Sequence, residues 1–295
     1  MTLAYADCGL KIKEYNESGI PCTVIEGAEG YSLPMTFDCG QCFRFEPLAD
    51  DPNTVEGVAF GRYIALTQGE NGQILLHNCK AEDADIWVRF LALDRDWNSI
   101  QEDVASRSPI LKDAASLAGG IRILKQDEFE ALISFVISQC NNIPRIKGLI
   151  SKISQNYGNA IELPDGRTVY TFPDAHTVAQ IPLEDLRALK LGYRAEYVLN
   201  AASAATCGLI EEVKAEKDTR AAINLLKNVE GIGEKVAACT LLFGFGRLDA
   251  FPVDVWIKRA MEKYFPGCKD LSVFGPYAGV AQQYLFYRER YLGGQ

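Results

Sequence analysis

The sequence predicts an α+β protein: an N-terminal antiparallel β-sheet domain with flanking helices, followed by a larger, mainly α-helical domain. Two observations carry this. From Thr23 to Leu76, short β-type runs alternate with turn residues: Thr23-Val24-Ile25, Cys42-Phe43-Arg44-Phe45, Val58 to Thr67 and Ile74-Leu75-Leu76, separated by Asp51-Pro52-Asn53 and Glu70-Asn71-Gly72. After Lys80, apolar residues recur at helical spacing. The plainest case is Phe129, Leu132, Ile133, Val136, Ile137 and Cys140, with Asp127 placed to cap the helix. The boundary falls near Gly119-Gly120, giving domains over residues 1–119 and 120–295.

With 295 residues, 48% of them hydrophobic, the chain can bury one large core or two modest ones. No stretch approaches the roughly 20 apolar residues of a membrane helix. The start, MTLAYADCGLKIKEYNE, lacks the apolar run of a signal peptide. An intracellular protein without a membrane partner is therefore expected. Nine scattered cysteines, an odd number, do not make a disulfide framework. Cys39 and Cys42 have the spacing of a redox pair or half a zinc site, but no second pair exists and only His77 and His176 offer imidazoles. The net charge of −9 argues against nonspecific coating of nucleic acid. Specific binding needs only local donors, and Arg145, Lys190, Arg194, Lys235 and Arg259 supply them.

The segment from Asn228 to Asp254 concentrates the chemistry. Asp218 can cap a helix with Ala222, Leu225, Leu226 and Val229 on one face; Glu230-Gly231-Ile232-Gly233 breaks it, and Glu234-Lys235-Val236-Ala237-Ala238-Cys239 begins another. Gly231 and Gly233 permit the tight turn, and free N–H groups at the second helix's start can hold a phosphate. Lys235 lies in the first turn, where the helix dipole disfavours its ammonium form and favours the neutral amine of a nucleophile. A solvated surface lysine is the ordinary alternative. Cys239, one turn on, shares the face of Lys235. Asp254 is expected at the start of a further helix, as its cap at minimum.

These residues resemble those of the eukaryotic-type 8-oxoguanine DNA glycosylases of the helix-hairpin-helix superfamily. The resemblance spans most of the chain: Gly40-Gln41-Cys42-Phe43-Arg44, Asn141-Asn142-Ile143-Pro144-Arg145-Ile146, Leu191-Gly192-Tyr193-Arg194-Ala195, the hairpin with its lysine, Pro252-Val253-Asp254-Val255, and Gly275-Pro276-Tyr277-Ala278-Gly279 running to Phe286. It implies that Lys235 attacks the deoxyribose C1′ of a flipped nucleotide and that Asp254 stabilises positive charge on the sugar. It further implies a Schiff base, whose β-elimination nicks the strand. Cys239 and Phe286 would sandwich the base, Gln282 would read its Watson-Crick edge, and the carbonyl of Gly40 would accept its N7–H. Asn141, Asn142, Arg145, Tyr193 and Arg194 would handle the opposite base and the DNA, together with Gly231 and Gly233.

The sequence departs from the resemblance twice. Cys140 stands where the family commonly has a third asparagine, which weakens the case for strict cytosine preference because a thiol hydrogen-bonds poorly. Trp256 replaces a frequent histidine. The hairpin carbonyls around Lys227, Val229 and Ile232 are those that can bind a structural cation in the family. No other cofactor is expected, and the closely spaced cysteines of an iron–sulfur cluster are absent. The implied partner is double-stranded DNA containing 8-oxoguanine, bound by a monomer, in the nucleoid of a prokaryote or the nucleus of a eukaryote. Two alternatives stay open: an alkylated-base glycosylase needing no lysine, and a noncatalytic DNA-binding module.

Overall fold

The computed structural model describes residues 4–5, 9–17 and 20–292. The chain forms two compact units. The first comprises residues 1–57, 64–125 and 253–295, the second residues 58–63 and 126–252. The linear division at 119/120 thus differs from the observed grouping: the chain crosses between units after Lys125, and the segment from Val253 onward returns to the first unit.

The first unit carries a seven-stranded sheet, except for residues 58–59 and 62–63 at the ends of two strands, built from β1 (Ala4–Tyr5), β2 (Leu10–Glu17), β3 (Ile20–Glu26), β4 (Phe45–Leu48), β5 (Asp51–Ala59), β6 (Arg62–Gln68) and β7 (Ile74–His77). Their order is β1-β2-β3-β7-β6-β5-β4. The β2–β3, β3–β7, β6–β7 and β4–β5 pairings are antiparallel. Alternation of side chains decides the faces: Ile74 and Leu76 of β7, and Ile64 and Leu66 of β6, are fully buried. The sequence reading missed β2, because only Leu10 and Ile12 mark its inner face among lysines and glutamates. Asp51-Pro52-Asn53, read as a turn, instead begins β5, where a proline without an N–H is tolerated at the strand's first residues. Cys42-Phe43-Arg44 is irregular, and only Phe45 enters a strand.

Helices flank this sheet. Phe45 stacks on Phe90 at 5.4 Å and meets Phe37 at 4.8 Å, joining the helices Leu33–Asp38 and Ala84–Phe90 to the sheet's core. The C-terminal helix Ala278–Leu292 packs on Pro109–Ala118 and on Val255–Tyr264, with Arg288 paired to Asp113 at 2.7 Å.

The second unit is mainly helical. Its centre is Glu128–Ile137, capped by Asp127 as predicted and buried at every position from Ala131 to Ile137. It packs against Arg194–Thr206 and Glu234–Phe243, and Phe135 stacks on Phe243 at 5.3 Å. Cys140 leaves the predicted helical stripe. The helix ends at Ile137 with Ser138 as its C-cap, and Cys140 has φ 47°, a left-handed conformation that only a turn requires. Within the segment read as a loop, β9 (Thr168–Tyr170) pairs with β8 (Ala160–Glu162).

Candidate active site

The hairpin forms as the sequence predicts. Asp218 caps Thr219–Lys227, accepting from Ala221 N at 2.7 Å; Ile232 N donates to the Val229 carbonyl at 3.1 Å; the next helix begins at Glu234 with Gly233 as its N-cap. The two glycines serve different ends. Gly231 has φ 94°, and a Cβ there would lie 2.2 Å from Cγ of Tyr197, so both conformation and space demand glycine. At Gly233 a Cβ meets nothing within 4 Å, and no side chain caps the helix, leaving its first N–H groups open. Glu234 bridges Lys227 at 2.7 Å and also pairs with Arg220. Burial works against its ionisation, but the hydrogen bonds from those two cations outweigh it and hold the carboxyl below its ordinary range.

Lys235 is half-buried in the first turn of this helix. Its Nζ donates to Ser138 Oγ at 3.1 Å and lies 5.7 Å from the centre of the Phe135 ring. The Ser138 hydroxyl in turn donates to the Phe135 carbonyl at 2.7 Å, so its proton is committed and its oxygen lone pairs face the lysine. Cys239, one turn along, is buried.

The turn after Ser138 carries the residues assigned to the opposite base. Asn142 caps the helix Ile143–Tyr157, accepting from Arg145 N at 3.0 Å, and Asn141 Nδ2 donates to the Ile137 carbonyl at 3.2 Å. Both amides therefore shape the turn. Arg145 is exposed, with a long 3.4 Å bond to the Lys190 carbonyl, and Tyr193 is 51% exposed. Arg194 differs from its sequence reading as an outward donor. It is 5% exposed, and all three guanidinium nitrogens donate to backbone carbonyls of Gln139, Cys140 and Leu191. A turn that ends a helix leaves carbonyls unpaired, and this arginine supplies their donors. Gln139 completes the link by donating from Nε2 to the Gly231 carbonyl at 3.0 Å.

The remaining candidates lie in the first unit. Asp254 caps Val255–Tyr264, its Oδ1 accepting from Ile257 N at 2.8 Å, while no described residue donates to Oδ2. Gln283 Nε2 donates to the Cys39 carbonyl at 2.8 Å, tying the C-terminal helix to the turn that holds Gly40 at φ 76°. Gln41 fixes the other side of that turn, donating to the Thr36 and Arg122 carbonyls at 3.0 and 2.8 Å. Gln282 and Phe286 are one turn apart on the C-terminal helix. Gln282 is 4% exposed and its buried Oε1 has no hydrogen-bond partner among the described residues; Phe286 is half-buried. Such an orphaned acceptor costs stability unless something else satisfies it.

Comparison with known proteins decides the family. The 8-oxoguanine glycosylase/lyase of Clostridium acetobutylicum, solved with double-stranded DNA carrying cytosine opposite 8-oxoguanine, is 32% identical to this chain. The match covers 96% of this chain and 98% of that one, with a TM-score of 0.87. The chain belongs to the 8-oxoguanine DNA glycosylase family. Residues 23–132 match the 8-oxoguanine DNA glycosylase N-terminal domain, and residues 133–270 match the HhH-GPD superfamily of base excision DNA repair proteins. The N-glycosylase/DNA lyase of Saccharomyces cerevisiae is 30% identical over 78% of this chain and 67% of its own length. The Arabidopsis thaliana N-glycosylase/DNA lyase OGG1 is 28% identical over 88% and 77% respectively.

In this glycosylase, sequence reasoning missed Ser138 and Gln139. They stand as two polar residues closing an apolar helix, a pattern that signals only a helix end. Trp256, the second departure, is half-buried and lies under the Arg259 guanidinium at 5.4 Å.

Proposed function

We propose that this protein is a bifunctional DNA glycosylase/lyase that flips 8-oxoguanine from duplex DNA, removes it and nicks the abasic strand. Family membership supports the substrate; the observation that carries the chemistry is the amine of Lys235, held at a helix start by Ser138 and over the Phe135 ring. The neutral amine attacks C1′ as the glycosidic bond breaks, with the electron pair leaving on the base, which takes up a proton. Ring opening gives a Schiff base, and β-elimination then expels the 3′ phosphate. Asp254, with one carboxylate oxygen spent on its helix and the other without a donor among the described residues, stabilises the positive charge that develops on the sugar.

Recognition of the base falls to Gly40, Cys239, Gln282 and Phe286. A backbone acceptor opposite N7 suits the oxidised base, which carries hydrogen there, and repels guanine, which presents a lone pair. The partner is lesion-containing duplex DNA, engaged by a monomer through the open N–H groups beside Gly231 and Gly233, in the nucleoid or nucleus. The carbonyl oxygens of Lys227, Val229 and Ile232 are hard donors of the kind that would hold a structural cation, and no step of the reaction runs through it.

Borohydride trapping tests the reading. A covalent adduct with an 8-oxoguanine duplex is expected from the wild-type protein and lost in Lys235→Gln. Normal base release by that variant contradicts the lysine chemistry and points to direct hydrolysis.

A further inference from the structure

We infer that Ser138 is the positioning residue for the Lys235 amine, and that the turn it belongs to couples the placement of that amine to the reading of the opposite base. This rests on Lys235 acting as the nucleophile. Three observations converge. First, the Ser138 hydroxyl proton is given to the Phe135 carbonyl at 2.7 Å, which fixes the hydroxyl's rotation and leaves its oxygen as an acceptor towards Nζ at 3.1 Å. Second, Ser138 is 8% exposed, so water does not readily replace that acceptor. Third, the amine lies over the Phe135 ring, 5.7 Å from its centre, and the ring narrows the space open to the long lysine stem.

The acceptor works in both protonation states. An ammonium gives one of its three protons to Ser138 Oγ; a neutral amine still has two N–H bonds, gives one to the same oxygen, and keeps its lone pair for attack. Holding one N–H on a rigid, buried oxygen removes much of the rotational freedom of a flexible side chain, and such orientation is worth large factors in rate. No proton passes to Ser138, whose role is geometric.

The neighbouring residues set where that oxygen lies. Gln139 donates to the Gly231 carbonyl of the hairpin, Arg194 grips the carbonyls of Gln139 and Cys140, and Asn141 and Asn142 follow directly. A shift of the turn on meeting the wrong opposite base moves Ser138 Oγ with it. A misplacement of about 1 Å is enough to cost on the order of a hundredfold in rate.

The test is single-turnover excision and borohydride trapping by Ser138→Ala and Ser138→Thr, alongside lesion-duplex binding and melting temperature. Ser138→Ala is expected to bind the 8-oxoguanine duplex as wild type does while excision and trapping slow by about tenfold or more. Ser138→Thr, which keeps the hydroxyl, is expected to recover most of that rate. The loss in Ser138→Ala is also expected to be smaller opposite bases that are already processed slowly. An excision rate within twofold of wild type, a loss matched by weakened lesion binding, or a threonine variant as slow as the alanine one overturns the inference. The two readings fail separately: if Lys235→Gln is inactive while Ser138→Ala is unchanged, only the role of Ser138 falls, whereas retained base release by Lys235→Gln removes the nucleophile itself.

Discussion

The Arg194 guanidinium donates to the Cys140 carbonyl at 2.9 Å, across 54 residues of sequence, and so fastens the Tyr193-Arg194 motif to the turn that follows the central helix. Removing it takes a buried guanidinium out of the fold and leaves the carbonyls of Gln139, Cys140 and Leu191 without the donors that hold the turn. Arg194→Ala is expected to lower stability by about 3 kcal/mol, read by chemical denaturation. Loss below about 1 kcal/mol would mean that the turn holds itself.

Cys140 occupies a left-handed conformation, φ 47°, that asparagine adopts far more readily than a thiol-bearing residue. Cys140→Asn is therefore expected to raise stability by about 0.5–1 kcal/mol. It restores an amide able to hydrogen-bond, so the same variant is expected to sharpen the preference for cytosine when excision is compared opposite the four bases. An unchanged ranking would remove Cys140 from opposite-base choice.

The hairpin glycines predict opposite outcomes. Gly231→Ala drives a methyl into the Tyr197 ring at a positive φ and is expected to cost about 3 kcal/mol or more. Gly233→Ala, with open space and an extended conformation, is expected to change stability by less than about 1 kcal/mol. Paired denaturation curves check both.

The proposed role of Gln282 in reading the base predicts a separation of stability from activity. Its buried Oε1 lacks a partner among the described residues, so Gln282→Met, similar in volume and without the orphaned acceptor, is expected to melt at the same or a higher temperature while excising 8-oxoguanine at least about tenfold more slowly. A variant both less stable and fully active would show the amide to be structural.

Much of this architecture was legible in the sequence because local rules dominate it. Asp127, Asp218 and Asp254 each cap the helix they precede, and the Gly231–Gly233 turn falls between its two helices. What stayed hidden is tertiary. Arg194 and Asn142 carry residue types suited to DNA, yet their donors and acceptors are engaged by backbone groups that only the folded chain brings near. Ser138 and Gln139 gave no periodic signal, because their importance lies in partners 97 and 92 residues away. The return of the chain after Val253 to the first unit likewise has no local signature.

Selectivity for the oxidised base is read most directly in single-turnover reactions of the wild-type protein with duplexes carrying 8-oxoguanine or guanine opposite cytosine. Release of 8-oxoguanine with a nick 3′ to the lesion, and guanine left in place, is the expected result. Failure to release 8-oxoguanine, or equal release of guanine, contradicts the proposed base excision.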